Sequence, residues 1–161
     1  RLRPSNYPTI RIAQIASLIH KTEHLFSRLM ETKEIKSFYE LLSAEVSDFW
    51  KTHYTFSAES SQRTKRLGKA SIEGLLINTI IPFLFIYGKM KLRDDLCDLS
   101  LSLLEKIPAE KNSTTREWSK HLGSVDNAAK SQALTELTKN YCTEKKCLYC
   151  QIGNSIIQQH T

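Results

Sequence analysis

A chain of 161 residues, 40% hydrophobic and 25% charged, is long enough to bury a core and too apolar to stay unfolded. Its formal net charge of +6 permits a polyanionic partner without requiring one. With only five Gly and four Pro, the turn-rich sequence of an all-β sandwich is excluded.

Pro8 suits the first turn of a helix, where a missing N–H costs little. From there a helix is predicted to about Glu31, with Ile12, Ile15, Ala16, Ile19, Phe26 and Leu29 facing inward at helical spacings. A second helix is predicted after Thr32, burying Ile35, Phe38, Tyr39 and Leu42. The aromatic stretch FWKTHYTF, 49–56, reads as a core edge, with base stacking beside Lys51 as the rival reading. The polar stretch 57–69 reads as a loop, and its Arg63, Lys65, Arg66 and Lys69 are candidates for nucleic-acid binding.

The most apolar segment, about 70–90, is predicted to be one buried helix at the hub of the fold, kinked by Pro82. Its longest apolar run has 14 residues, 75–88. A bilayer span needs about 20, so no membrane partner is expected. A helix over about 91–106 should bury Leu92, Leu96, Leu99 and Leu103 and stop before Pro108. Ser113 or Thr114 should cap a short helix ending at Gly123, and Ser124 or Asp126 a long one reaching about Asn140. The fold class is therefore all-α: a single helical domain, 1–161, built as a compact bundle of about six or seven helices.

Chemistry shows most clearly in NYCTEKKCLYCQIG, 140–153, which carries three of the four cysteines. Thiolate is the commonest structural ligand of zinc, and the turn in Cys147-x-x-Cys150 can bring two sulfurs to one ion. Cys142 would be a third ligand, and Cys97, His121, His160 or His53 the fourth. An iron–sulfur cluster on Cys97 and the other three is a lesser alternative. The same thiols also read as packed small hydrophobes or as a redox pair at a helix N-terminus beside Lys145 and Lys146. Leu148, Ile152 and Ile156 should dock a last helix that begins near Lys146 and carries Cys147 and Cys150 on one face.

Four stretches together, RPSNYPTIRIAQIASLI, FWKTHYTF, LGKASIEGLLINTIIPFLFIYG and NYCTEKKCLYCQIG, resemble the C-terminal half of a bacterial family known as domain of unknown function 2851. The resemblance covers nearly the whole chain. It implies that Arg3 falls mid-chain in the family, and that Cys142, Cys147 and Cys150 are pattern positions with no assigned role. It also implies a preceding half with acidic and histidine motifs loosely similar to those of metal-dependent nucleases. With Arg1-Leu2-Arg3-Pro4 at the start, in place of Met or an apolar leader, the chain reads as a piece of a longer cytoplasmic protein. Its first partner would be that missing N-terminal part.

The expected function is a non-catalytic helical module, acting on nucleic acid in the larger protein, with a structural zinc site at the cysteines. The alternatives are a thiol- or metal-dependent enzyme centred on the cysteines, and a nucleic-acid-binding module using the loop cations. No Walker loop, GxSxG or HExxH motif is present to favour the enzyme.

Overall fold

The structure, a computed structural model, describes residues 7–159. Arg3, which the resemblance places mid-chain, and His160, a candidate ligand, lie outside the described residues. Among the described residues all regular structure is helical. There is no strand, only the isolated bridges His53–Glu59 and Pro108–Asn127. The chain is an all-α protein packed as two compact units, residues 1–100 and 101–161.

In the first unit α1 (Pro8–Lys21), α2 (Leu25–Glu31), α3 (Ile35–Leu42) and α4 (Asp48–Thr52) precede an irregular stretch. Then come α5 (Lys69–Leu75), a π segment (Leu76–Ile80) and α6 (Ile81–Met90), which run as one helix of 22 residues. The helix α7 (Asp94–Lys106) spans the boundary between the units. In the second unit α8 (Ser113–Leu122) and α9 (Ala128–Leu137) are followed by a π turn (Thr138–Cys142), a 3-10 turn (Cys147–Tyr149) and α10 (Gln151–Gln159). With 69–90 counted once there are nine helices among the described residues, more than the six or seven expected. One reason is a break in the first: Thr22 N–H closes on Leu18 O, and His24 turns left-handed at φ 56°. The apolar spacing runs straight across that break and gives no sign of it.

The inward face of α1 is also different. Ile10, Ala13, Gln14 and Leu18 are buried, whereas Ile12, Ile15 and Ile19 are 66%, 56% and 60% exposed. A buried amide needs a partner. Gln14 Nε2 donates to Lys65 O at 3.1 Å, which turns this side of the helix toward the irregular stretch. The inward side of α3 is as expected, with Phe38 and Leu42 buried.

Pro82 has no N–H and crowds the carbonyl one turn before it. The helix widens just ahead of it into the π segment, and Pro82 then sits in the first turn of α6. The extra residue keeps Ile72, Leu76 and Ile77 on one side with Ile81, Leu84 and Gly88. The segment expected to be buried all round buries only that side: 28% of its most apolar 18-residue window is inside, and Leu75, Phe83, Ile86 and Met90 are exposed. By length and composition alone this helix could cross a membrane.

The end of α6 is a Schellman motif. Arg93 N–H donates to Gly88 O at 2.8 Å, Leu92 N–H faces Lys89 O at 3.4 Å, and Leu92 takes the left-handed position at φ 53°. Leu92 is therefore in a turn and exposed, not on the buried stripe of α7. Gly88 is needed for the close return: a Cβ there would lie 2.9 Å from both Arg93 O and Cys97 Sγ.

In the second unit Leu103, Ile107, Ala128 and Ser131 are fully buried. The helix caps are Asn112 and Asn127, each one residue or more from the expected cap. Asn112 Oδ1 accepts Thr115 N–H at 2.9 Å while Thr115 Oγ1 accepts Asn112 N–H at 3.1 Å, a reciprocal capping box. Asn127 Oδ1 accepts Lys130 N–H at 3.0 Å. Trp118 Nε1 donates to Thr138 Oγ1 at 2.7 Å, tying α8 to the end of α9.

Candidate nucleic-acid interface

The stretch between α4 and α5 contains no helix, yet it is held at several points. Ser60 and Arg63 N–H donate to Thr52 O and Lys51 O at 2.6 and 3.0 Å, laying residues 60–63 alongside α4. Gln14 holds the carbonyl of Lys65 from the other side. Lys65 itself is buried, donates from Nζ to His53 O at 2.8 Å, and lies 3.7 Å over the Tyr54 ring. Ordering a polar segment costs conformational entropy; these bonds offset that cost and fix where its cations stand.

The result is a cavity of about 400 Å³ walled by Arg11, Arg63, Lys65 and Arg66. Tyr54 and Ile10 supply apolar wall, Thr64 and Ser71 supply hydroxyls, and Gly68 opens the rim. Every charged residue in this lining is a cation. By contrast, the cavity near α2 and α3 sets Lys21 and Arg28 against Glu31 and Glu40. Four cations around one hollow repel one another. Burial pushes the Lys65 ammonium below the usual lysine range, and the charge of Arg63 adds to that depression.

The cavity also meets the start of the 22-residue helix. Gly68 is its N-cap and has no side chain to accept a hydrogen bond, so no side-chain cap closes the first turn. Gly68 and Ser71, at the start of this helix, line the same cavity, so the positive end of the helix dipole lies beside the cations. Such an arrangement can seat a phosphate or another oxyanion. It has no feature that selects a base.

Three of the four loop cations singled out in the sequence therefore come together, and Lys69 does not. Its ammonium is 3.9 Å from the Glu73 carboxylate and 5.8 Å over the Tyr39 ring, away from the cavity lining. Arg11 was missed. It lies on α1, more than fifty residues before Arg63, and no spacing rule links the two.

The cysteines present a different picture. Cys142 and Cys147 are exposed, Cys150 and Cys97 are buried, and all four thiols are free. Cys97 Sγ donates to Phe85 O at 3.6 Å in the first unit, whereas the other three belong to the second. His121 is exposed on α8. Among the described residues no three His, Cys, Asp or Glu side chains gather as a metal would require. Cys147 opens the 3-10 turn and Cys150 follows it in extended conformation, so the pair does not share a helical face. Leu148, Ile152 and Ile156 are exposed and do not dock α10. The start of α10 lies close against the 3-10 turn: a Cβ on Gly153 would lie 2.7 Å from Cys147 O.

Fold and site together define an all-helical protein with a recessed cationic cavity. The chain belongs to a family of proteins of unknown function (DUF2851), whose profile matches residues 1–113. All four cavity cations lie inside the match, and the cysteine stretch lies beyond it, so the family pattern stops short of the span expected from the sequence. No curated protein and no solved structure matches the chain.

Proposed function

We propose that this chain is a helical module that binds nucleic acid by its phosphates. The observation that carries the reading is the cavity of Arg11, Arg63, Lys65 and Arg66, with no carboxylate in its lining, at the N-terminus of a long helix. Phosphate contacts dominate the affinity of nucleic-acid-binding proteins and need no base recognition. A bound phosphate would offset the mutual repulsion of the cations around the cavity.

The test is binding of the full chain to labelled DNA of mixed sequence, followed as salt is raised. Binding at low salt should weaken steeply, since each phosphate contact releases counterions. The double substitution Arg63→Gln, Arg66→Gln removes two exposed charges and should reduce the salt slope by about 2 without altering the fold. Absence of binding to single- and double-stranded DNA at low salt would end this reading.

A further inference from the structure

We infer that the nucleic acid taken by this site is single-stranded, with a phosphate in the cavity and the neighbouring base on the aromatic cluster of α4. The inference rests on the phosphate reading above and adds a second group of residues to it. Phe49, Trp50, His53 and Phe56 pack on one another in a short stretch. Phe49 and His53 stack at 4.1 Å with their planes 8° apart, and Trp50 meets the edges of Phe49 and Phe56 at 5.1 Å each. The cluster is a core edge left open on one side: Trp50 and His53 are half-buried, whereas Phe56 is 77% exposed and Phe49 44%.

Exposed aromatic rings have a cost in water that a protein normally avoids by burying them. Here the rings adjoin the cavity through one peptide. His53 carries the carbonyl that holds Lys65 Nζ, and its own ring lies on Phe49. The next residue, Tyr54, forms the cavity wall beneath the same ammonium. Phe56 follows Tyr54 of the cavity wall by two residues, so a strand that seats a phosphate among the cations would be extended past it onto the rings.

Strandedness follows from what each ligand offers. A duplex keeps its base faces stacked inside and presents only backbone and groove edges. Among the described residues no helix carries the stripe of Arg and Lys that a major groove would meet. A single strand offers open base faces, and base–aromatic stacking tolerates every sequence. Cations that track the backbone beside rings that take the bases are the two parts of a single-strand site.

The experiment compares the affinity of the full chain for a single strand about 20 nucleotides long and for the duplex of the same sequence. Wild type, Phe56→Ala, Phe56→Trp and the Arg63→Gln, Arg66→Gln pair are measured. The single strand should bind at least about tenfold tighter than the duplex. Phe56→Ala should lose about tenfold on the single strand and nothing on the duplex, and Phe56→Trp should keep the affinity. Phe56 is too exposed for its loss to unfold the protein, which circular dichroism of the variant checks. Equal affinity for both forms, or an unchanged single-strand affinity in Phe56→Ala, overturns the single-strand inference while leaving the phosphate reading standing, provided the arginine pair still matters. Failure to bind either form overturns both.

Discussion

Leu92 shows how much one residue can conceal. A left-handed residue ends the Schellman motif of α6, and glycine is the usual occupant because it has no Cβ to strain. Here the position holds a leucine at φ 53°, 90% exposed. The strain of a left-handed non-glycine residue costs about 1–2 kcal/mol. Replacing it by glycine adds about 0.5–1 kcal/mol of unfolded-state entropy, the opposing effect. The strain is the larger, and the leucine side chain buries almost nothing. Leu92→Gly should therefore raise stability by about 0.5–1 kcal/mol in denaturant unfolding. A loss of stability would mean that Leu92 makes contacts its exposure denies. The residue also explains a misread boundary: with leucine in place of glycine, the sequence carries no stop signal after Met90, and α7 reads as starting at 91.

At the scale of elements, helices were legible, and so were the faces of α3 and α7, whereas the face of α1 was not. The period that marks α1 as amphipathic is real, but periodicity only says that an apolar stripe exists; it does not say which body covers it. In this unit part of that side meets the irregular stretch, where the carbonyl of Lys65 needs a donor, and Gln14 provides it. The stripe of Ile12, Ile15 and Ile19 is left outside, as are Phe83, Ile86 and Met90 on α6. Ile15 of α1 and Leu75 of α5 border one cavity, and Phe26 of α2 meets the rings of Phe83 and Tyr87 of α6 edge-on at 5.8 and 5.9 Å. The two stripes respond differently to substitution. Ile10→Ala removes a side chain that is 1% exposed and should cost about 2–5 kcal/mol. Ile15→Ser, at a position more than half exposed, should change stability by no more than about 0.5 kcal/mol. Chemical denaturation of the two variants separates the faces, and the reverse order would restore the face expected from the sequence. The cavity was legible to the same degree: Arg63, Lys65 and Arg66 stand close together in sequence, whereas Arg11 lies on α1, where Gln14 accepts from its guanidinium and donates to the carbonyl of Lys65.

For the whole molecule, a net charge of +6 does not by itself locate a partner, because cations occur in both units. Charges farther apart than about 8 Å are largely screened at physiological salt. What distinguishes the first unit is the concentration of four cations around one cavity, and linkage turns that difference into a measurement. A ligand present at a hundred times its dissociation constant stabilises the state that binds it by about 2.7 kcal/mol. Hydrogen exchange should place that gain. With a saturating oligonucleotide at low salt, amides of residues 60–72 and of α4 should exchange more slowly, because the hydrogen bonds that hold this stretch must break before the cavity opens. Amides of α8 and α9 belong to the other unit, and their exchange should stay as it was. High salt should remove the added protection, since it removes the phosphate contacts. If slowing were instead confined to residues 138–159, the nucleic acid would sit on the cysteine-bearing tail, and the cations of the first unit would be an ordinary solvated surface.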